Sequence, residues 1–272
     1  MNFIIHKLRV LKAVAFVTYK EWAAYRSHSM VSILVGPVYF IVQYFIWHAV
    51  YGDQAMINGM TLSAMLTYFG VSTLINYLTM DFADWNLQML VRTGKYITFA
   101  LRPINHRFFA LSQKVGHRIL GLLFEFIPCY ILFILLFDVN LYPSNIGYTL
   151  LSILFAFLIN FYVHYCIGLT AFWFTGSSGI RGVFTLFMNI FSGSVIPLVF
   201  FPEAIQVLLF FLPFQYISYV PAMVFVGRYE LAGITMSIPQ IISLQAVALL
   251  LVILLSKLLY HASMKRFTGV GA

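Results

Sequence analysis

The stretch GYTLLSILFAFLINFYVHYCIGLTAF, residues 147–172, decides the fold class of this chain. It contains no Asp, Glu, Lys or Arg. An apolar helix of about 20 residues is long enough to cross the roughly 30 Å hydrocarbon core of a bilayer. The sequence therefore predicts a membrane-spanning helix at this position.

The rest of the chain has the same character. Of its 272 residues, 62% are hydrophobic and 9% are charged, whereas about a quarter of the residues of soluble domains are charged. The predicted fold class is an all-α membrane protein with six transmembrane helices in one transmembrane domain over residues 1–272. The other five spans are predicted at residues 29–51, 61–82, 117–137, 181–200 and 238–258.

The N-terminal residues 1–28 have a different pattern, because basic residues and aromatic residues alternate within 7–27. Such a segment is typical of a helix that lies in the membrane interface. No long apolar core precedes Lys20 and Glu21, so a cleaved signal peptide is not expected.

Residues 201–227, FPEAIQVLLFFLPFQYISYVPAMVFVG, decide whether there is a seventh span. Pro213 and Pro221 divide this run into pieces of roughly ten residues, which are too short to cross a bilayer. The sequence therefore predicts a re-entrant helical hairpin on the outer face, between spans five and six. Within a membrane, irregular backbone such as the turn of this hairpin is found only where it packs on protein or lines a water-filled cavity.

The positive residues give the orientation. With six spans, all of the 16 Lys and Arg residues except Arg228 lie on one side of the membrane. Because Lys and Arg accumulate on the cytoplasmic side, both termini and the connection 83–116 are predicted to be cytoplasmic. The formal net charge of +8 is explained by these flanking clusters, so no nucleic-acid partner is expected. Cys129 and Cys166 lie in apolar segments and are predicted to be buried small hydrophobes rather than metal ligands.

One basic stretch stands out within the connection 83–116. It is VRTGKYITFALRPINHRFF, residues 91–109, in which charged and apolar residues alternate. The charges alone would serve as an orientation signal and as contacts to lipid phosphates. The apolar residues on a cytosolic loop also favour a protein partner.

Several features together resemble the permeases of type-2 ATP-binding-cassette exporters. They are the six spans, the interfacial helix, the glycine-containing loop that ends in LRPI (101–104), and the run SGSVIPLVFFPEAIQVLLFFLPF (192–214). The nearest branch is the multidrug or viologen-type efflux permeases of prokaryotes, and the resemblance covers essentially the whole chain. It implies a multi-pass subunit of the bacterial cytoplasmic (inner) membrane that works with a second permease, identical or a sister chain.

The resemblance also implies that the loop between spans two and three is a coupling helix that docks on a separate ATPase. Carried over to this chain, the helix would be Trp85–Leu101. The predicted coupling residues are Trp85, Leu90, Arg92, Gly94, Lys95, Leu101 and Arg102.

The chain contains no G-x-x-x-x-G-K-[ST] string, which is the usual phosphate-binding loop of an ATPase. Its only Gly-Lys pair, Gly94-Lys95, is followed by Tyr96. The chain is therefore expected to have no catalytic residues and no cofactor or metal of its own. ATP and Mg²⁺ would bind to the partner subunit.

Polar residues at helical spacing within the spans are candidates for a cargo path, since such residues usually face protein or water. The resemblance places the path along the first, second and fifth helices of two facing permeases. Equally, these residues could form hydrogen bonds between helices. The aromatic-rich composition favours a hydrophobic or amphipathic cargo. The predicted path residues are Tyr39, Gln43, Tyr68, Ser72, Asn76, Asn189 and Ser192, with Ser32, Gly36 and Thr185 on the same helical faces.

Glu125 is an acid within predicted span three, and intramembrane ionisable residues are functional candidates. It could equally be a structural group that pairs with His117 or Arg118. Asn160 and His164, one turn apart in span four, are expected to bond to neighbouring helices.

Two other classes of function are less consistent with the sequence. An intramembrane enzyme would need a nucleophile, base or metal set at membrane depth, and no such motif occurs. An ion-coupled secondary transporter, the main alternative, would be expected to have inverted repeats and more intramembrane acids.

Overall fold

The computed structural model describes residues 2–24, 26–137, 141–174 and 177–267. These residues form twelve α-helices. Their bounds are α1 Asn2–Ala24, α2 Arg26–Tyr51, α3 Leu62–Thr79, α4 Ala83–Arg92, α5 Ile97–Ala100, α6 His106–Gly121, α7 Ile127–Leu136, α8 Ile146–Leu169, α9 Ser177–Phe191, α10 Glu203–Phe211, α11 Tyr219–Val226 and α12 Ile238–Arg266.

Shorter elements join these helices. A π-helix, Leu122–Phe126, links α6 to α7, and 3₁₀ turns occur at Thr170–Phe172, Leu198–Phe200 and Pro213–Tyr216. Two antiparallel strands, β1 Tyr229–Leu231 and β2 Ile234–Met236, pair with Glu230 opposite Thr235. The sequence did not predict this hairpin.

Among the described residues, four segments are long and apolar enough to cross a membrane: Ile33–Tyr51, His106–Leu136, Ile146–Phe172 and Ile238–Arg266. They correspond to predicted spans one, three, four and six, and the helical multi-pass fold is thereby confirmed. The predicted span 61–82 corresponds to α3, which is 18 residues long. The predicted span 181–200 is helical only as far as Phe191, where α9 ends. The total of six spans therefore remains a prediction.

The third segment begins earlier than predicted. The sequence placed span three at 117–137, but α6 begins at His106 and continues through the π-helix into α7. Residues 106–116 of the predicted loop 83–116 are therefore helical. The helix α1 packs along α6, and a Cβ at Gly116 would overlap the backbone of Ala15. Gly116 is thus the residue that lets the two backbones approach.

A proline-dependent contact joins α2 to α3. Pro37 lies inside α2 and has no N–H to donate to the carbonyl of Ile33. The hydroxyl of Tyr77 in α3 donates to this carbonyl at 3.2 Å and accepts from the N–H of Gly36 at 2.7 Å. A Cβ at Gly36 would overlap the Tyr77 ring. The contact therefore depends on a glycine and a proline side by side.

The helix α8 lies in the middle of the bundle, where it packs on α3, α4, α11 and α12. A polar bridge holds α8 to α12. The side-chain amide of Gln245, which is completely buried, donates to the carbonyls of Ser152 and Tyr216 and accepts from the Ser152 hydroxyl. Buried polar groups of this kind must be paired to be tolerated, so the bridge fixes the register of the two helices.

The segment 201–227 forms two short helices, α10 and α11, with the 3₁₀ turn Pro213–Tyr216 between them. Gln206 ties this segment to its surroundings. It donates to the carbonyls of Val199 and Phe201 and accepts from the N–H of Ala232 in the β-hairpin. The interruption at Pro213 agrees with the sequence analysis. Pro221 does not divide the run as predicted, because it lies in the first turn of α11, where a missing N–H is tolerated. The re-entrant position remains a prediction.

Candidate functional site

The predicted coupling segment Trp85–Leu101 consists of two helices and a turn. The helix α4 ends at Arg92, Gly94 adopts a left-handed conformation with φ of +67°, and α5 follows after Tyr96. A left-handed residue is easily accommodated by glycine and strained for most others. Gly94 therefore lies in the turn that ends α4 and leads into α5.

One face of α4 is anchored in the protein. Asp84, Leu87 and Gln88 are buried, and α4 packs on α8. Gly168 in α8 permits this packing, since a Cβ there would lie 3.0 Å from the Cα atom of Asp84. The spacing of the buried residues is that of one helical face.

Tyr96 anchors the second half of the segment. Its side chain is 2% exposed, and its ring lies 5.0 Å from that of Phe172 and 5.3 Å from that of Phe267. Its hydroxyl is 3.4 Å from the hydroxyl of Tyr260 in α12. Burial raises the pKa of Tyr96, so the hydroxyl stays protonated. The segment is therefore fastened to the C-terminal ends of both α8 and α12.

The opposite face of the segment is exposed and is both apolar and basic. Trp85 is 50% exposed and Leu101 is 83% exposed. The guanidinium of Arg102 lies 4.5 Å from the centre of the Phe99 ring, a cation–π distance. Of the predicted coupling residues, Leu90 and Gly94 are partly buried, and the others are exposed: Trp85, Arg92, Lys95, Leu101 and Arg102.

The start of α4 carries a buried carboxylate that the sequence analysis did not single out. Asp84 is completely buried. Its Oδ2 atom lies 2.8 Å from Nε of Arg181 in α9 and 3.3 Å from Nδ1 of His164 in α8. Burial opposes ionisation, but the contacts with His164, the Trp85 N–H and Arg181 lower the pKa of Asp84 below its ordinary value. The carboxylate therefore stays charged and joins three helices.

A second buried ion pair lies at the end of α3. Nζ of Lys114 in α6 is 2.7 Å from Oδ2 of Asp81, and both side chains are almost fully buried. Nζ also donates to the carbonyls of Thr79 and Phe157, each at 3.1 Å. Asn160 in α8 donates to the same Thr79 carbonyl at 2.7 Å. Cations at the C-terminus of a helix compensate its free carbonyls and its dipole.

Glu125 lies in the π-helix beside Arg118. The guanidinium nitrogen Nη1 of Arg118 is 3.7 Å from Oε2 of Glu125 and donates to the Tyr77 carbonyl at 2.6 Å. Gly121 leaves space for the pair, because a Cβ there would lie 3.1 Å from the carboxylate and 3.2 Å from the guanidinium. Of the two alternatives given for Glu125, this geometry favours pairing with Arg118.

A cavity of about 450 Å³ lies between α1, the junction of α3 with α4, and α6. Its wall combines aromatic rings with both signs of charge. Trp22 contacts the His117 ring at a centroid distance of 4.3 Å. The charged residues in the wall are Glu21, Asp81, Lys114, Glu125 and Arg181.

The predicted path residues of α2 and α3 take part in hydrogen bonds. The Tyr39 hydroxyl donates to the Ser194 carbonyl and accepts from Gln43, which in turn accepts from the indole N–H of Trp47. The Tyr68 hydroxyl donates to the Gly193 carbonyl at 2.6 Å. These bonds connect α2 and α3 to the turn after α9.

The remaining predicted path residues divide into two groups. Ser72 and Ser192 are buried, whereas Asn76 and Asn189 are exposed on the surface of the chain. The side chain of Ser32 is outside the part of the chain that the structure describes. The structure of one subunit therefore brings Tyr39, Gln43 and Tyr68 together around residues 193–194, and whether they line a path remains a prediction.

The sequence offered a signal for the missed ion pairs. The chain has only 8 acidic residues, and two of them, Asp81 and Asp84, lie at the end of one predicted span. Within the described residues no group of three or more His, Cys, Asp or Glu side chains could hold a metal ion. Cys129 and Cys166 are both buried and free.

The comparison with protein families gives a match over most of the chain. The model described as ABC-2 family transporter protein matches residues 38–271. Neither the search of curated proteins nor the search of solved structures found a match. The family in general implies an ATP-binding-cassette partner, and its membrane-spanning character fits the multi-pass helical chain. The chain belongs to the ABC-2 family of transporter proteins.

Proposed function

We propose that this chain is the transmembrane subunit of an ATP-driven exporter and that it receives force from a separate ATPase through Trp85–Leu101. The observation that carries this proposal is the two-sided construction of that segment. Its inner face is anchored to α8 and α12, and its outer face exposes apolar and basic side chains.

Each part of the outer face suits a protein partner. Trp and Arg are enriched among the residues that dominate binding energy at interfaces. Trp85 and Arg92 lie within this short segment, and Arg102 follows it directly. Leu101 is an exposed apolar residue on a segment predicted to face the cytosol. A partner with an apolar groove and acidic rim would complement this surface.

The rest of the proposal concerns the cargo and the assembly. Two permeases would face each other and enclose a path along their first, second and fifth spans, with both termini in the cytoplasm of a bacterium. The many exposed rings favour a hydrophobic or amphipathic cargo moved outward, as in multidrug efflux. ATP and Mg²⁺ would bind to the ATPase alone.

Co-purification tests the proposal. The tagged permease is extracted in mild detergent from its native membrane, and we expect an ATPase chain to be recovered with it. Trp85→Ala should weaken the association roughly 30-fold, since truncating a central aromatic residue commonly costs about 2 kcal/mol. Tyr142→Ala is the matched control, because Tyr142 is an exposed aromatic residue outside the segment.

Two results would contradict the proposal. One is that the wild-type permease brings down no ATPase, which an ion-coupled transporter would also show. The other is that Trp85→Ala retains as much ATPase as Tyr142→Ala.

A further inference from the structure

The carboxylate of Asp84 connects three helices at one point. It lies in α4, 2.8 Å from Arg181 in α9 and 3.3 Å from His164 in α8, and it accepts from the Trp85 N–H at 2.7 Å. Its side chain is 0% exposed, whereas that of Arg181 is 31% exposed. The ion pair is therefore buried at its acidic end and reaches water at its basic end.

Such a pair resists separation of the helices that carry it. If α9 moved away from α4, the Asp84 carboxylate would lose its guanidinium partner while remaining buried. An uncompensated buried charge is strongly unfavourable. The backbone of Asp84 packs closely on Gly168 of α8, where a Cβ would lie 3.0 Å from the Cα atom of Asp84, so α4 is held against α8 at this point. When the N-terminal end of α4 moves, the N-terminal end of α9 must therefore move with it.

The position of the pair relates it to the coupling segment. Asp84 immediately precedes Trp85, the first residue of that segment, and Arg181 lies at the start of the predicted fifth span. The helix α9 also carries the predicted path residue Asn189, and Ser192 follows it directly.

We propose that Asp84 and Arg181 are positioning residues that couple the movement of Trp85–Leu101 to α9. A displacement of the coupling segment would then reach the fifth span directly, in addition to passing through α8. This inference rests on the proposed function, because it assumes that the segment is moved by a partner.

The first measurement uses the full-length permease alone in lipid nanodiscs. Spin labels are attached to cysteines introduced at Met89 in α4 and Leu186 in α9, both of which are exposed, and the distance distribution between them is recorded. The native cysteines are buried, so labelling favours the introduced ones. We expect one narrow distance in the otherwise wild-type protein and loss of that narrow distance in Arg181→Gln.

Matched variants distinguish the loss of the ion pair from general effects of mutation. Arg228→Gln removes an exposed arginine outside these helices and should leave the narrow distance unchanged. Arg181→Lys retains a cation and should preserve most of the narrow peak in the distance distribution. If Arg181→Gln does not fold, Asp84→Asn with Arg181→Gln removes both charges, leaves no buried carboxylate unpaired, and should still lose the narrow distance.

The second measurement uses the complex with its ATPase, with labels at Leu186 in α9 and Leu250 in α12. We expect the distance to shift when ATP and Mg²⁺ are added, and we expect Arg181→Gln to lose this shift while still retaining the ATPase. A merely structural ion pair would lower stability without abolishing the shift.

The inference would be overturned if Arg181→Gln, or the double variant, kept the narrow distance between Met89 and Leu186. A normal nucleotide-driven shift in Arg181→Gln would overturn it as well. Failure to recover any ATPase would instead refute the proposed function, and the first measurement would still decide whether the ion pair fixes α9 to α4.

Discussion

The buried pair of Lys114 and Asp81 allows a quantitative prediction about stability. Replacing Lys114 with Met keeps much of the apolar stem but removes the ammonium group. Asp81 would then stay buried without the cation that lies 2.7 Å from it in the wild type. Removing one partner of a buried ion pair typically costs about 3–5 kcal/mol, and we expect Lys114→Met to lose this much free energy of unfolding.

The double variant Lys114→Met with Asp81→Asn should recover most of that loss, because neither charge remains. The carbonyl of Thr79 would still accept from Asn160. The residual cost should be about 1 kcal/mol, the usual net value of a lost hydrogen bond. We therefore expect the double variant to be more stable than Lys114→Met by at least about 2 kcal/mol.

The assay is unfolding in mixed micelles with increasing SDS, followed by tryptophan fluorescence. Lys95→Met is the control, since Lys95 is exposed and its loss should change stability by less than about 0.5 kcal/mol. The reasoning would be refuted if Lys114→Met were as stable as Lys95→Met. A double variant that lost the sum of both single effects would refute it too.

Three further predictions concern packing, of which the first two can be checked by the same unfolding assay and the third by proteolysis. Gln245→Leu should lose about 2–3 kcal/mol because it removes three buried hydrogen bonds to Ser152 and Tyr216; stability equal to that of Gln54→Leu, at an exposed position after α2, would contradict this. Tyr96→Phe should lose less than about 1 kcal/mol, since the hydroxyl makes two long contacts, 3.4 Å to the Tyr260 hydroxyl and 3.6 Å to Sδ of Met264. Tyr96→Ala should lose about 3–5 kcal/mol by leaving a cavity; equal effects of the two would show that the ring is unimportant. Gly116→Val should separate α1 from α6 because its side chain would overlap Ala15, and faster proteolysis of residues 2–24 than in Gly179→Val, where a Cβ meets no neighbour, is the expected result.

The membrane-spanning character of the chain was predictable because it depends on length and hydrophobicity alone. Residues 147–172 show this clearly, since their run without charged residues corresponds closely to the observed helix through Phe172. The interruption at Pro213 was predictable for a similarly local reason, because proline lacks the N–H that continues a helix. The same rule does not hold everywhere, since Pro37 lies inside α2, where Tyr77 bonds the carbonyl that the proline leaves free.

The buried ion pairs could not be predicted, because they depend on contacts between residues distant in sequence. Lys114 and Arg181 appeared to be ordinary cytoplasmic charges, and only the fold brings them to Asp81 and Asp84. The start of α6 at His106 was missed for a related reason. Its first turns mix polar and apolar residues, and they pack as a helix against α1, which a hydropathy pattern does not reveal.

The π-helix Leu122–Phe126 has a consequence for insertions and deletions. A π-turn holds one residue more than an α-turn, and each residue of an α-helix turns the chain by about 100°. Because the wider turn absorbs the extra residue, deleting one residue here would restore a regular helix and leave Ile127–Leu136 with nearly the same face toward the bundle. Winding the same five residues as regular α-helix would instead rotate Ile127–Leu136 by roughly 100°, and Phe133, which packs 4.8 Å from the ring of Phe40, would swing away from the bundle. The wider turn therefore decides which side of the following helix the bilayer contacts.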